Sequence, residues 1–156
     1  MLRGTGKRPA PRALIVDPDT AFASELAARL RPFAEVTTCS GFARARFQLR
    51  ALTPQFLVTA LTLQEYNGLH LVYLAGAAEL PTRSIVYHHE LDAGLAGEVQ
   101  AAGAFFELRQ RLRAALPMYA SANLPPVDRR VVTRPDRRQS PRGGRRVTDL
   151  QFAAGV

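Results

Sequence analysis

The 156-residue sequence predicts an α/β fold: a doubly wound five-stranded parallel sheet, followed by a disordered arginine-rich C-terminal tail. Three observations predict it. Short apolar runs alternate with helical patterns five times between about residues 13 and 117, which is how parallel strands joined by crossover helices read. The runs are apolar along most of their length rather than at every second position, as in strands covered on both faces. After about Leu124 prolines, glycines and arginines take over, and the apolar residues are too scattered to bury a core. The expected organisation is a basic N-terminal tail at 1–12, a folded body at 13–120 and an arginine-rich tail at 121–156, with 125–149 disordered in the absence of a partner.

The elements follow in order. ALIVD at 13–17 is an apolar run closed by an acid, a buried strand. AFASELAARLR at 21–31 places Phe22, Leu26 and Leu30 at helical spacing. AEVTT at 34–38 is rich in β-branched residues, and 41–52 reads as a helix with Ser40 as its N-cap. FLVTA at 56–60 is a third strand, followed by a loop around Asn67-Gly68 and a helix near 69–76. SIVY at 84–87 is a fourth strand. A helix at about 91–102 stops at Gly103, and Ala104–Glu107 forms a short fifth strand. The last helix runs near 109–117, with Pro117 close to its end.

Composition narrows the function. A hydrophobic fraction of 47% supports a true core, and the single cysteine, Cys39, excludes an internal disulfide framework and fits a reducing compartment. No stretch approaches the ~20 apolar residues of a membrane span, and the basic N-terminus has no apolar segment behind it, so a cytoplasmic protein without membrane insertion is expected. The net charge of +8 is uneven: +4 over residues 1–12, −1 over 13–124 (nine arginines, ten acids) and +5 over 125–156 (eight arginines, three aspartates). Basic ends on a nearly neutral body point to an anionic partner.

ALIVDPDTAF, PQFLVTALTLQEYNGLHLV and AAGAFFEL, in that order and spacing, resemble the three landmark segments of CheY-like response-regulator receiver domains over about residues 12–118. The resemblance implies a flavodoxin-like receiver fold, whose chemistry needs a carboxylate nucleophile and nearby acids to hold Mg²⁺ against a phosphate. Asp17 follows the first strand as expected, but its usual acidic neighbour is Pro18, with Asp19 one place further on. The phosphoryl-accepting position reads Ala60. The hydroxyl position after the fourth strand reads His88, and the expected lysine falls on Arg109 or Gln110. No aspartate lies between Asp19 and Asp92, and Glu65 in the loop beyond the third strand is the nearest other acid. A degenerate pseudo-receiver follows, not an enzyme, with no catalytic residues. No metal is expected either: adjacent histidines such as His88-His89, beside Glu90, rarely point at one ion, and His70 is the only other histidine.

The tail carries a pattern. Arg129-Arg130, Arg137-Arg138 and Arg145-Arg146 recur every eight residues, with Arg134 and Arg142 after the first two pairs and Asp128, Asp136 and Asp149 interleaved. Guanidinium is planar, stays charged and grips phosphate bidentately. It also meets O6 and N7 of guanine in one plane, while a carboxylate complements the N1–H and N2–H₂ donors of the opposite edge. Two guanines and two phosphates occur together in cyclic di-GMP. The combination of body and tail resembles the CheY-like cyclic di-GMP effectors, the Cle proteins, on Asp136-Arg137-Arg138 with Arg134 before and Arg142, Arg145 and Arg146 after. The resemblance implies a tail that orders around the dinucleotide and a role at the flagellar motor or in surface attachment. The expected ligands are Arg134, Asp136, Arg137, Arg138, Arg142, Arg145, Arg146 and Asp149. The expected partners are cyclic di-GMP and a motor or signalling protein, met through the face that receivers build from their last strand and last two helices. Two alternatives stay open: a nucleotide-independent adaptor that binds a kinase, motor or polar protein directly, and a basic-tailed nucleic-acid-binding regulator.

Overall fold

The computed structural model describes residue 6 and residues 8–128. In chain order the elements are β1 (Arg12–Val16), α1 (Thr20–Leu30), β2 (Glu35–Cys39), α2 (Phe42–Leu52), β3 (Phe56–Ala60), β4 (Thr62–Leu63), β5 (Tyr66–Asn67), α3 (Leu69–Ala77), β6 (Arg83–His88), α4 (Ala93–Ala101), β7 (Phe105–Leu108) and α5 (Arg109–Tyr119). Five strands form one sheet in the order β2-β1-β3-β6-β7, with every pair parallel. The strand order reverses between β1 and β3, which opens a crevice at their carboxyl ends.

The apolar strand runs serve two cores at once. Ala13, Ile15, Phe56, Val58, Ile85 and Tyr87 point to the face covered by α1 and α5. Leu14, Val16, Leu57 and Val86 point to the face covered by α2, α3 and α4. Period-2 alternation along each strand therefore feeds both layers with apolar side chains.

Local chemistry fixes the ends. Asp19 caps α1, its carboxylate accepting the Phe22 N–H at 3.1 Å. Asp92 caps α4 in the same way through the Gly94 and Leu95 N–H groups. The expected Ser40 cap of α2 is corrected: Gly41 holds the N-cap position, with no side-chain bond to the helix. Gly103 ends α4 at φ +87°, the left-handed conformation that glycine adopts without strain. Pro117 lies inside the last turn of α5, which continues to Tyr119. The loop expected around Asn67-Gly68 contains a small antiparallel hairpin, β4–β5. Gly68 is required there by close approach: its N–H donates to Leu61 O at 2.7 Å, and a Cβ would stand 2.2 Å from the Ala60 carbonyl oxygen.

The chain beyond α5 corrects the expectation that disorder begins at residue 125. Residues 121–128 form a strap over the body. The Arg83 side chain, 8% exposed, donates to the carbonyls of Tyr119 (2.6 Å), Ser121 (2.8 Å) and Pro125 (3.1 Å). The Asp128 N–H donates to Gly103 O at 3.2 Å, and Asp128 is buried. An arginine at the start of a central strand reads as a polar strand end in sequence. In the fold it caps the exit of α5 and anchors the strap that follows.

Candidate functional site

The crevice at the carboxyl ends of β1, β3 and β6 is a cavity of about 310 Å³ whose lining includes Asp17, Asp19, Ala60, Tyr87, His88 and Arg109. Each arrives from the end of an element. Asp17 follows β1, Asp19 starts α1, Ala60 closes β3, Tyr87 and His88 close β6, and Arg109 opens α5.

Both acids are already engaged. Asp17 is 3% exposed. One of its carboxylate oxygens accepts the Asp19 N–H at 2.8 Å and the other accepts the phenol O–H of Tyr87. Burial, then this bond to a carboxylate, hold the Tyr87 hydroxyl in its neutral form far above the ordinary tyrosine range. Asp19 is the half-exposed partner of Arg109, whose guanidinium donates to it at 2.7 Å. The Phe22 N–H, and after it the Arg109 bond, hold the Asp19 carboxyl below its usual value of 3.8. Arg109 also lies over the Phe22 ring at 4.1 Å, so its plane is fixed by stacking as well as by charge. The ion pair is solvent-accessible, so its role here is to occupy Asp19 and contributes little to stability.

At the end of β3 the crevice is lined by the Ala60 methyl group, with no polar side chain at that position. No group of three or more histidine, cysteine or acidic side chains among the described residues is placed to hold a metal ion. The His88 and His89 rings pack on each other at 4.1 Å between centroids, and His89 Nε2 stands 3.8 Å from Glu90.

Solved structures share this architecture. The response-regulator domain of Thermotoga maritima CheB superposes with a TM-score of 0.62 at 19% identity, covering 71% of this chain and 93% of that one. A LuxR-family two-component response regulator from Aurantimonas gives 0.62 at 19% identity, over 70% and 81% of the two chains. A LuxR-family DNA-binding response regulator from Staphylococcus aureus gives 0.63 at 10% identity, over 71% and 99%. The body has the receiver fold. No family model matches the sequence, and no curated protein does.

Seen as a receiver fold, the site separates what sequence located from what it missed. Asp17, Asp19 and Ala60 lie together where the landmark segments put them. Of the two positions open for the cation, Arg109 is the one in the crevice, bonded to Asp19. His88 lines the crevice, but the hydroxyl group there comes from Tyr87, one residue earlier. The available signal was the period of β6: Ile85 and Tyr87 share the face that Ile15 and Val58 also supply. The tail residues expected to bind ligand, Arg134, Asp136, Arg137, Arg138, Arg142, Arg145, Arg146 and Asp149, lie outside the described residues.

Proposed function

We propose that this protein is a non-catalytic CheY-like signalling effector that responds to cyclic di-GMP through its arginine-rich tail, not to phosphorylation of its receiver body. The observation that carries the first half is Ala60 in a crevice whose two acids are held by Tyr87 and Arg109. A phosphoryl group has no acceptor there, and a cation meets carboxylates that already have partners. What supports the second half is the tail's own chemistry. Arg137-Arg138 with Asp136, backed by Arg134, Arg142, Arg145, Arg146 and Asp149, offers guanidinium planes for phosphate and for the O6/N7 edge of guanine, and carboxylates for the N1/N2 edge.

The strap adds a route from ligand to output. It is anchored by Arg83 and ends at Asp128 against Gly103, between α4 and β7. The tail thus starts beside the face formed by α4, β7 and α5. A ligand gathered at residues 134–149 neutralises several arginines of the tail and so changes which protein surface the chain accepts, at a motor or signalling complex.

Isothermal titration of the full chain with cyclic di-GMP tests this, with Arg137→Ala/Arg138→Ala as control and cyclic di-AMP as competitor. Micromolar or tighter binding that the double variant loses and cyclic di-AMP does not displace is the expected result. Absence of heat overturns the effector reading and leaves a nucleotide-independent adaptor. Binding that ignores base identity and falls steeply with salt indicates a nucleic-acid mode instead.

A further inference from the structure

Two arginines of α5 and the arginines of α2 sit in different surroundings. On the α1/α5 side, Arg109 pairs with Asp19 and Arg113 pairs with Glu25 at 2.8 Å, and both guanidinium groups lie over Phe22. On the other side, α2 carries Arg44, Arg46 and Arg50 and no acid, and no acidic residue occurs between Glu35 and Glu65. Arg46 and Arg50 form no ion pair among the described residues. Arg46 stands at the lip of a groove between α2 and α3 of about 440 Å³, whose other walls are Phe42, His70, Tyr73, Leu74 and Ala77.

The groove is aromatic and firm. Phe42 stacks on Tyr66 with centroids 4.5 Å apart and planes 12° from parallel, and meets the edge of His70 at 6.0 Å. Tyr73 is 55% exposed, and Phe47, further round α2, is 68% exposed. Rigid aromatic side chains lose little freedom on binding and dominate interface energetics. Clustered exposed apolar surface beside unpaired charge marks an interaction site rather than ordinary surface.

We infer that the α2–α3 groove is a docking site for an acidic amphipathic helix of a partner protein. Its aliphatic or aromatic anchors enter between Phe42, Tyr73 and Leu74, and its carboxylates meet Arg46 and Arg50. α2 has 11 residues, a length of about 16 Å, which matches two to three turns of a bound helix. Charge complementarity selects this occupant. The protein's own ends, +4 over residues 1–12 and +5 over 125–156, are repelled by α2. The walls offer only Arg46 and His70 as charged or strongly polar groups, which suits apolar anchors better than a sugar-phosphate chain. The site lies on the opposite side of the sheet from α5 and is independent of the tail's ligand.

The test is selection of peptides from a random phage-displayed library on the full chain, with affinities then measured by fluorescence polarisation. Enriched peptides should be acidic, with apolar residues every three to four positions. Arg46→Glu should weaken them at least about tenfold, as reversal of a partly desolvated contact does, and Tyr73→Ala should also weaken them. Arg111→Glu, an exposed reversal on α5, should leave them unchanged, and circular dichroism checks that each variant is folded. Enrichment of basic or uncharged peptides, no enrichment at all, or indifference to Arg46→Glu overturns the proposal. So does sedimentation showing self-association that Arg46→Glu abolishes, or a deletion of residues 129–156 that by itself raises peptide affinity, since these name a second copy or the tail as the occupant.

Discussion

Replacing Arg83 with methionine should release the strap from the body before it affects the sheet. The side chain makes three bonds to main-chain carbonyls at 2.6, 2.8 and 3.1 Å, and its guanidinium stands 5.6 Å from the Phe56 ring centre. Each bond has a net worth of about 0.5–1.5 kcal/mol, and loss of the donor leaves carbonyls of a partly buried turn to find water. The ring contact adds about 0.5–1 kcal/mol. Against this, the guanidinium is buried, and that burial draws its pKa down. Methionine removes this desolvation cost while filling similar volume. The balance is a loss of about 2–3 kcal/mol, or roughly 8–12 °C in Tm for a domain of this size. Urea denaturation measures the total, and amide exchange locates it. Protection of the Asp128 N–H, bonded to Gly103 O at 3.2 Å, should fall further than that of Ile85 in the core. A loss below about 1 kcal/mol together with unchanged Asp128 protection would refute the assignment of Arg83 as the strap's anchor.

Three further outcomes follow from the crevice and its walls. Ala60→Asp should stay unphosphorylated by acetyl phosphate on a phosphate-affinity gel, because Tyr87 and Arg109 still hold Asp17 and Asp19; a shifted band would show that the lock does not exclude the chemistry. The Asp19 carboxyl carbon should titrate below 3.8 by NMR, with the Phe22 N–H as the larger cause, so Arg109→Ala should raise the midpoint only in part. Because the folded value is the depressed one, the stability Asp19 contributes is complete above about pH 4 and fades as the pH falls through the folded value; a midpoint at or above 3.8 contradicts this. Gly68→Ala should cost about 1–3 kcal/mol in chemical denaturation, since its methyl meets the Ala60 carbonyl at 2.2 Å, and a neutral result would mean that the β5–α3 junction shifts freely.

Most of the architecture was legible because it rests on local signals. Apolar runs such as FLVTA and helical spacings such as Phe22, Leu26 and Leu30 marked elements whose burial the structure shows. Boundaries moved by one or two residues where a cap decided them, as at Asp19 and Gly41. Ala60 at the end of β3 was readable because one residue at a strand end decides what the crevice receives there. The lock was not, since it joins Tyr87 to Asp17 across 70 positions and Arg109 to Asp19 across 90. The strap was hidden for the same reason: proline-rich residues 121–128 look unable to build a core, yet Arg83, some 40 residues earlier, supplies the donors their carbonyls need. Sequence patterns report which face a residue prefers, and pairings between distant loops appear only once the sheet has set their distance.

The strap's end point also sets a tether. Arg137 is nine residue steps beyond Asp128, so the bonded chain limits Arg137 to about 32 Å from where Asp128 is held, at up to ~3.6 Å per step. One molecule confined to a sphere of that radius is at a local concentration on the order of 10 mM. If Arg137 captures a ligand as proposed, that ligand is presented to the α4–β7–α5 edge at that concentration whatever its level in bulk, and a weak contact there would suffice. Arg83 holds residues 119–125, so its loss would lengthen that tether and lower the local concentration through one buried side chain.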